Sequence, residues 1–275
     1  MAMTVATAGN ELHEPQPQTI GFGNVLHSEW TKLRTVRSTY WTAGIALLAS
    51  IALGALICAR TAYNIKHGRQ SLDGFDATLA SLDGLYIAQV AIGALGVLSI
   101  SSEYGTGMIR ATLATVPQRR AMLAAKLLVF GLATLVAGEI MSFAAFAIGQ
   151  HLLASAHAGV SLHQAAALRA TVGGGLYLTA VGLLGFGMGA LVRNTAGALS
   201  AFFGTLFALT AVDDLLPTNL RNDIIPYLPA NAGSQIITVV HTAGALSPWT
   251  GLGVLAMYGV TATVAATLLI TRRDV

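Results

Sequence analysis

Few residues in this chain have the type and spacing for chemistry. The most informative stretch, S-S-E-Y-G-T-G-M-I-R-A-T-L-A-T-V-P-Q-R-R at 101–120, is polar and basic and lies between two long apolar runs. It opens on Glu103-Tyr104-Gly105-Thr106-Gly107 and carries Arg110, Arg119 and Arg120. A second group is Glu139, alone inside an apolar run. A carboxyl at membrane depth costs roughly 3 kcal/mol on insertion scales unless it is paired or hydrated. Two roles are open to Glu139: a hydrogen-bonded or protonated group that fixes helix packing, or a group lining a substrate path. His151, His157 and His163 are evenly spaced in a loop, but the spacing does not put them on one helical face, and no H-E-x-x-H is present. Asp213-Asp214 have no third acid nearby and read as a positioning pair or a helix end. Gly251–Ala256 matches G-x-G-x-x-A, yet no strand precedes it, so helix packing is the expected use. No G-x-x-x-x-G-K-[ST] occurs, and none of Lys32, Lys66 and Lys126 follows a glycine. The chain therefore carries no ATP cradle of its own, and no catalytic or metal site is expected in it.

The elements that hold these residues follow from composition. The chain has 275 residues, 54% of them hydrophobic and 10% charged, against about 25% charged in soluble domains. Its mean hydropathy is +0.66. This is the composition of a polytopic membrane protein. In a soluble chain a net charge of +3 would hint at nucleic acid; here it reflects the positive-inside bias, and no nucleic-acid partner is expected. The lone Cys58 excludes an intramolecular disulfide.

A membrane helix needs about 20 apolar residues. Six runs qualify: 40–59, 84–102, 127–150, 170–192, 195–212 and 249–271. None alternates polar and apolar residues, which argues against a barrel. The expected fold class is thus all-α with six membrane helices. With a cytoplasmic N-terminus, ten Lys and Arg fall on the inner side and five on the outer. Both termini are then cytoplasmic, and segment 101–120 faces the cytoplasm. Residues 1–21, rich in Pro, Gln and Glu and lacking the features of a signal peptide, read as a disordered cytoplasmic tail. Residues 22–275 make up the membrane domain.

Two amphipathic segments stand out. Around N-V-L-H-S-E-W-T-K-L-R-T-V-R, Leu26, Trp30 and Leu33 share one helical face and Lys32 and Arg34 lie elsewhere, as in a helix lying in the membrane interface and touching lipid. In 106–116, Met108, Ile109, Thr112, Leu113 and Val116 make an apolar stripe that Pro117 ends. That pattern fits a short helix offering a docking surface, or a plain basic topogenic loop. Gly185 and Gly189 have the small-xxx-small spacing that lets helices approach closely. The two S-L-D-G strings, at Ser71 and Ser81, read as helix starts capped by Ser or Asp.

The string E-Y-G-T-G-M-I-R-A-T-L-A-T-V-P-Q-R-R-A-M-L-A-A-K-L-L resembles the first cytoplasmic loop of type-2 ABC transporter permeases. S-E-W-T-K-L-R-T-V-R-S-T-Y-W resembles the interfacial helix before their first span. I-I-P-Y-L-P-A-N-A-G-S-Q-I-I-T-V-V-H-T-A-G-A-L-S-P-W resembles their outer segment, where two short helices re-enter between spans five and six, and L-L-I-T-R-R-D-V resembles their ending. The resemblance covers about residues 22–275. It implies a permease pairing with a second permease chain, identical or paralogous, in the plasma membrane. It also implies a separate cytoplasmic ATPase that holds ATP and Mg and drives outward movement of an amphiphilic substrate. Residues 106–116 would then be a coupling helix. Met108, Ile109, Leu113 and Val116 would meet the ATPase, with Arg110 and Arg119 at the rim and Glu103 and Tyr104 bracing the helix beside Gly105 and Thr106. Two other classes stand beside this one. An intramembrane enzyme would need converging ionisable groups, and Glu139 is alone at membrane depth. An ATP-independent membrane scaffold or immunity protein would show no ATP dependence.

Overall fold

The computed structural model of the protein describes residues 21–35, 37–105, 119–208, 217, 221, 223–240 and 244–272. The described residues form helices and turns and no strand. In chain order the helices are α1 (Phe22–Thr35), α2 (Arg37–Lys66), α3 (Ala77–Leu82), α4 (Leu85–Gly105), α5 (Arg119–Ala154), α6 (Ala165–Val192), α7 (Thr195–Phe203), α8 (Pro229–Ser234) and α9 (Pro248–Arg272). A π-turn, Gly204–Ala208, continues α7, and a 3₁₀ turn, Ile225–Tyr227, precedes α8.

Among the described residues, five helices are long and apolar enough to cross a membrane: Tyr40–Lys66, Leu85–Tyr104, Arg120–Ala154, Ala165–Val192 and Pro248–Leu269. This is the architecture of a multi-pass membrane protein. Three of them, Tyr40–Lys66, Arg120–Ala154 and Ala165–Val192, outrun the apolar stretches that mark them by five residues or more, because backbone hydrogen bonding continues while long basic side chains keep their heads at the polar boundary. The 36 residues of α5 span about 54 Å at 1.5 Å each, well beyond a hydrocarbon core of about 30 Å. The remaining apolar run is described only as Thr195–Phe207, and 209–212 lie outside the described residues.

Helix α6 is the centre of the bundle and packs against α4, α5 and α9. Its Tyr177, Leu178, Val181, Leu184 and Phe186 are fully buried. The glycine spacing acts as the sequence suggests. A side chain on Gly185 would overlap the carbonyl of Gly93, and one on Gly189 would press on Val97 and Ile100. Helices α4 and α6 can therefore touch backbone to backbone. Lipid tails give no hydrophobic drive to association, so such close packing has to hold the pair. The outer surface is inverted relative to a soluble protein. Trp41, Ile45, Leu48 and Leu56 on α2, Leu132, Val136 and Ile140 on α5, and Met257, Val260 and Val264 on α9 all point outward. Exposed apolar stripes on this scale mark surfaces made for lipid or another apolar partner.

At the end of the bundle where α4 begins and α5 ends, three connections are stitched together. Asp76 caps α3 by accepting from Leu79 N (2.8 Å), and its other oxygen accepts from Val239 N (2.6 Å) and Val240 N (2.9 Å). Gln150 donates to Ala77 O (2.9 Å) and Ser81 Oγ (3.0 Å) and accepts from Val160 N (2.7 Å). Arg169 donates to Thr238 O (2.9 Å). The two S-L-D-G strings divide: the second, 81–84, directly precedes the start of α4 at Leu85, with Asp83 O accepting from Tyr86 N (3.2 Å), whereas the first starts no helix, and α3 is capped by Asp76, outside both strings. Ser71 instead closes a turn by accepting from Asp73 N (3.1 Å), and Ser81 lies buried inside α3. A carboxylate with two oxygens can serve a helix start and a distant loop together, which a serine hydroxyl cannot.

Candidate functional site

At the opposite end of the bundle, α1, the last turn of α4 and the first turns of α5 meet around four charges. Lys126 Nζ lies 2.6 Å from Glu29 Oε2 and 2.8 Å from Glu103 Oε1. Lys32 Nζ lies 2.7 Å from Glu29 Oε1 and 3.4 Å from Glu103 Oε1. The four groups alternate in sign around a closed ring and sum to zero. Glu29, Glu103 and Lys126 are only 4%, 6% and 7% exposed. Charges this deep persist only when paired. Burial alone pushes the Glu29 carboxyl up. The ammoniums of Lys126 and Lys32 outweigh that push and hold it below the ordinary carboxylate value. Burial likewise pushes the Lys32 ammonium down, but its hydrogen bond to Glu29 and the charge of Glu103 raise it above the ordinary lysine value. Glu103 Oε2 is buried and finds no hydrogen-bond partner.

Around the ring the packing is apolar and aromatic. Leu33, Tyr104 and Leu127 close on a cluster of Ile100, Leu123, Phe130, Phe186, Ala190 and Ala266. The Arg193 guanidinium sits 5.4 Å from the centre of the Tyr104 ring. Arg193 ends α6 in the left-handed region, φ 59°, with its N–H donated to Gly189 O (3.1 Å). Thr195, after the Asn194 cap of α7, donates to Ser101 Oγ (3.2 Å).

The residues singled out in the sequence fall into three groups. Glu103 and Tyr104 stand in the last turn of α4, beside the ring, and Gly105 ends that helix. Thr106, Met108, Ile109, Arg110, Leu113 and Val116 lie outside the described residues. Leu26, Trp30 and Leu33 are on α1, but the face that α1 packs is rotated from the one they mark: Val25 and Glu29 are buried, Leu33 packs on the inner cluster, and Trp30 is 49% exposed. The helix turns its carboxylate inward, where the Lys126 ammonium of α5 meets it at 2.6 Å. Glu139 lies midway along α5 against α6. A side chain on Gly175 would overlap its carboxyl, and its Oε2 is buried without a hydrogen-bond partner. Among the described residues no group of three His, Cys, Asp or Glu could hold a metal.

Sequence reasoning missed Lys32 and Lys126 as partners of Glu103, and Glu29 as the second carboxylate they share. Glu29 and Lys32 have the helical i, i+3 spacing, which is visible in sequence. Glu103 stands 71 residues from Lys32, which no local pattern shows. One signal was present: Glu103 and Lys126 flank segment 106–118, one at the end of an apolar run and one at the start of the next.

At the other end, Asp73, Asp76 and Asp83 edge an open depression with Phe75, Thr238 and Val240. Burial, reinforced by the nearby Asp76, pushes the Asp83 carboxyl up.

No protein-family model matches this chain, and no curated protein matches it.

Proposed function

We propose that the chain is the membrane-spanning permease subunit of an ABC exporter, driven by a separate cytoplasmic ATPase. The observation that carries this reading is the buried charge ring, which fixes both stems of segment 106–118 at one end of a bundle of long apolar helices. A segment anchored so firmly at its roots can transmit a push to α4 and α5. The family-like string runs through that same segment. Two further observations support the layout. Thr195 stands at the ring end and Val239 at the far end, which supports a sixth span between them. The 3₁₀ turn and α8 are short helical pieces before the last long helix, at the place of the re-entrant helices. In this reading α1 lies in the interface, both termini are cytoplasmic and the plasma membrane holds the complex. A second permease chain completes it, and ATP and Mg sit on the ATPase. Binding of ATP closes the ATPase pair, the coupling helix at 106–116 moves, and the two permeases rock and release an amphiphilic substrate outward.

The test is co-expression with the ATPase of the neighbouring reading frame, followed by pull-down from membranes. Complex formation is expected. Leu113→Asp is expected to insert normally and to lose ATPase association or transport-stimulated hydrolysis, since truncating one buried interface side chain often costs about 1–2 kcal/mol and a buried charge costs more. Arg110→Ala should weaken association mainly at low salt, because rim charges are screened. No complex with the unaltered chain overturns the reading. Full binding and transport in Leu113→Asp reduces the segment to a topogenic signal.

A further inference from the structure

We infer that α1 and the two stems of segment 106–118 form one mechanical unit, clasped by the ring of Glu29, Lys32, Glu103 and Lys126, with Glu29 and Lys126 as positioning residues for that segment. The positioning role rests on the permease reading; the clasp itself does not.

The geometry of the ring carries the argument. Lys126 is the first stem's opposite number: it stands in the early turns of α5, after the segment, while Glu103 stands in the last turn of α4, before it. One ammonium bonds both Glu103 and the α1 carboxylate, at 2.8 and 2.6 Å. The second ammonium, from α1 itself, repeats the bridge at 2.7 and 3.4 Å. Displacing α1 alone would break the Lys126–Glu29 and Lys32–Glu103 contacts and split the ring into two pairs, leaving each ion with one partner in place of two. Displacing one stem alone would leave an unmatched charge at the ring, and a buried charge without its partner is strongly unfavourable. The cheap motions are those in which the three move together.

The alternation of sign matters as much as the burial. Apolar residues of similar volume would hold helices at least as well, so a buried ring of charges is a poor choice for strength alone. It does fix register, since sliding α1 past α5 brings like charges together. The contacts that the same end of α4 makes towards α6 and α7 are of another kind: a ring face under Arg193 and a hydroxyl pair, Ser101 with Thr195. Those contacts break without stranding a buried pair.

The experiment uses the full chain in lipid vesicles, with Cys58→Ser as background. Spin labels at Trp30→Cys on α1 and Leu128→Cys on α5, both at exposed positions, report the clasp. A second pair, Leu132→Cys and Met257→Cys, reports the bundle. A single narrow distance is expected for each pair. Lys126→Glu is expected to lose the narrow α1–α5 distance and keep the bundle distance. Inverting all four charges (Glu29→Lys, Lys32→Glu, Glu103→Lys and Lys126→Glu together) restores alternation at unchanged net charge and is expected to restore the narrow distance. Should Lys126→Glu also lose the bundle distance, Glu29→Gln makes the milder break with the same readout. A narrow α1–α5 distance that survives both substitutions overturns the clasp. So does a fourfold inversion that keeps the bundle distance but not the α1–α5 distance.

The positioning role has its own readout in the complex with the ATPase. Glu29→Gln is expected to keep ATPase pull-down and lose transport-stimulated hydrolysis, and the fourfold inversion to regain it. Stimulated hydrolysis that persists in a variant whose α1 has lost its fixed distance leaves the clasp structural and overturns the positioning role. Failure of the unaltered chain to bind the ATPase overturns the permease reading and leaves the distance result standing.

Discussion

Replacing Lys126 by Met tests whether the ring is a buried, paired structure. Lys126 makes two contacts, at 2.6 and 2.8 Å, each worth about 6 kcal/mol gross at an effective dielectric of about 20. Against this stands the loss of hydration, several kcal/mol for each buried ion. What remains is best judged from the removal of one partner of a buried pair, which costs about 3–5 kcal/mol. Lys32 still holds Glu29 at 2.7 Å, and the ring lies at the end of the bundle, so the low end, about 3 kcal/mol, is expected. The assay is reversible unfolding in mixed micelles, followed by helix content. Methionine keeps most of the side-chain volume, so packing changes little. The decisive comparison adds Glu103→Gln. If the cost is stranded charge, the double variant is less destabilised than Lys126→Met alone, because one carboxylate no longer lacks its partner. A Lys126→Met cost under about 1 kcal/mol, the level of an exposed pair, refutes the reasoning, and so does simple addition in the double variant.

Three further outcomes follow from the packing. The docking of α1 should depend on pH at both extremes. Glu29 is depressed when folded, so its contribution is complete above the ordinary carboxylate value and is lost as pH falls through the lower folded value; Lys32 is raised, so its contribution is complete below the ordinary lysine value and is lost as pH rises through the higher folded value. Protease sensitivity of α1 in vesicles should therefore be flat through neutral pH and rise in strong acid and strong base, and Glu29→Gln should abolish the acid limb. Gly185→Leu forces a side chain into the Gly93 carbonyl and is expected to cost about 1–3 kcal/mol or more, seen as loss of the monodisperse peak in detergent, whereas Gly44→Leu, with open space at its Cβ, should elute unchanged. Asp76→Ala removes an acceptor used by Leu79, Val239 and Val240, each such bond to a charged group being worth about 1.5–3 kcal/mol, and should make the segment before α9 the first site of proteolysis.

What the sequence determined by itself was local. Runs of uncharged apolar residues dictated long helices, since a backbone in lipid must satisfy its own hydrogen bonds. The spacing of Gly185 and Gly189 foretold a close helix contact, because four residues make about one helical turn. The basic segment at 101–120, with Glu103 at its root, stood out as the point of interest from composition alone. Tertiary structure decided which charges belong together. Glu29 and Lys32 read locally as parts of a polar face, and only the docking of α1 onto α4 and α5 turns the carboxylate inward to Lys126. It also decided that Asp76 should serve Val239, 163 residues away, and that Glu139 should rest against Gly175. Helical periodicity records which way a side chain points relative to its own neighbours. It carries nothing about a partner brought near by the packing of other helices, and the energies of buried charge are set by those partners.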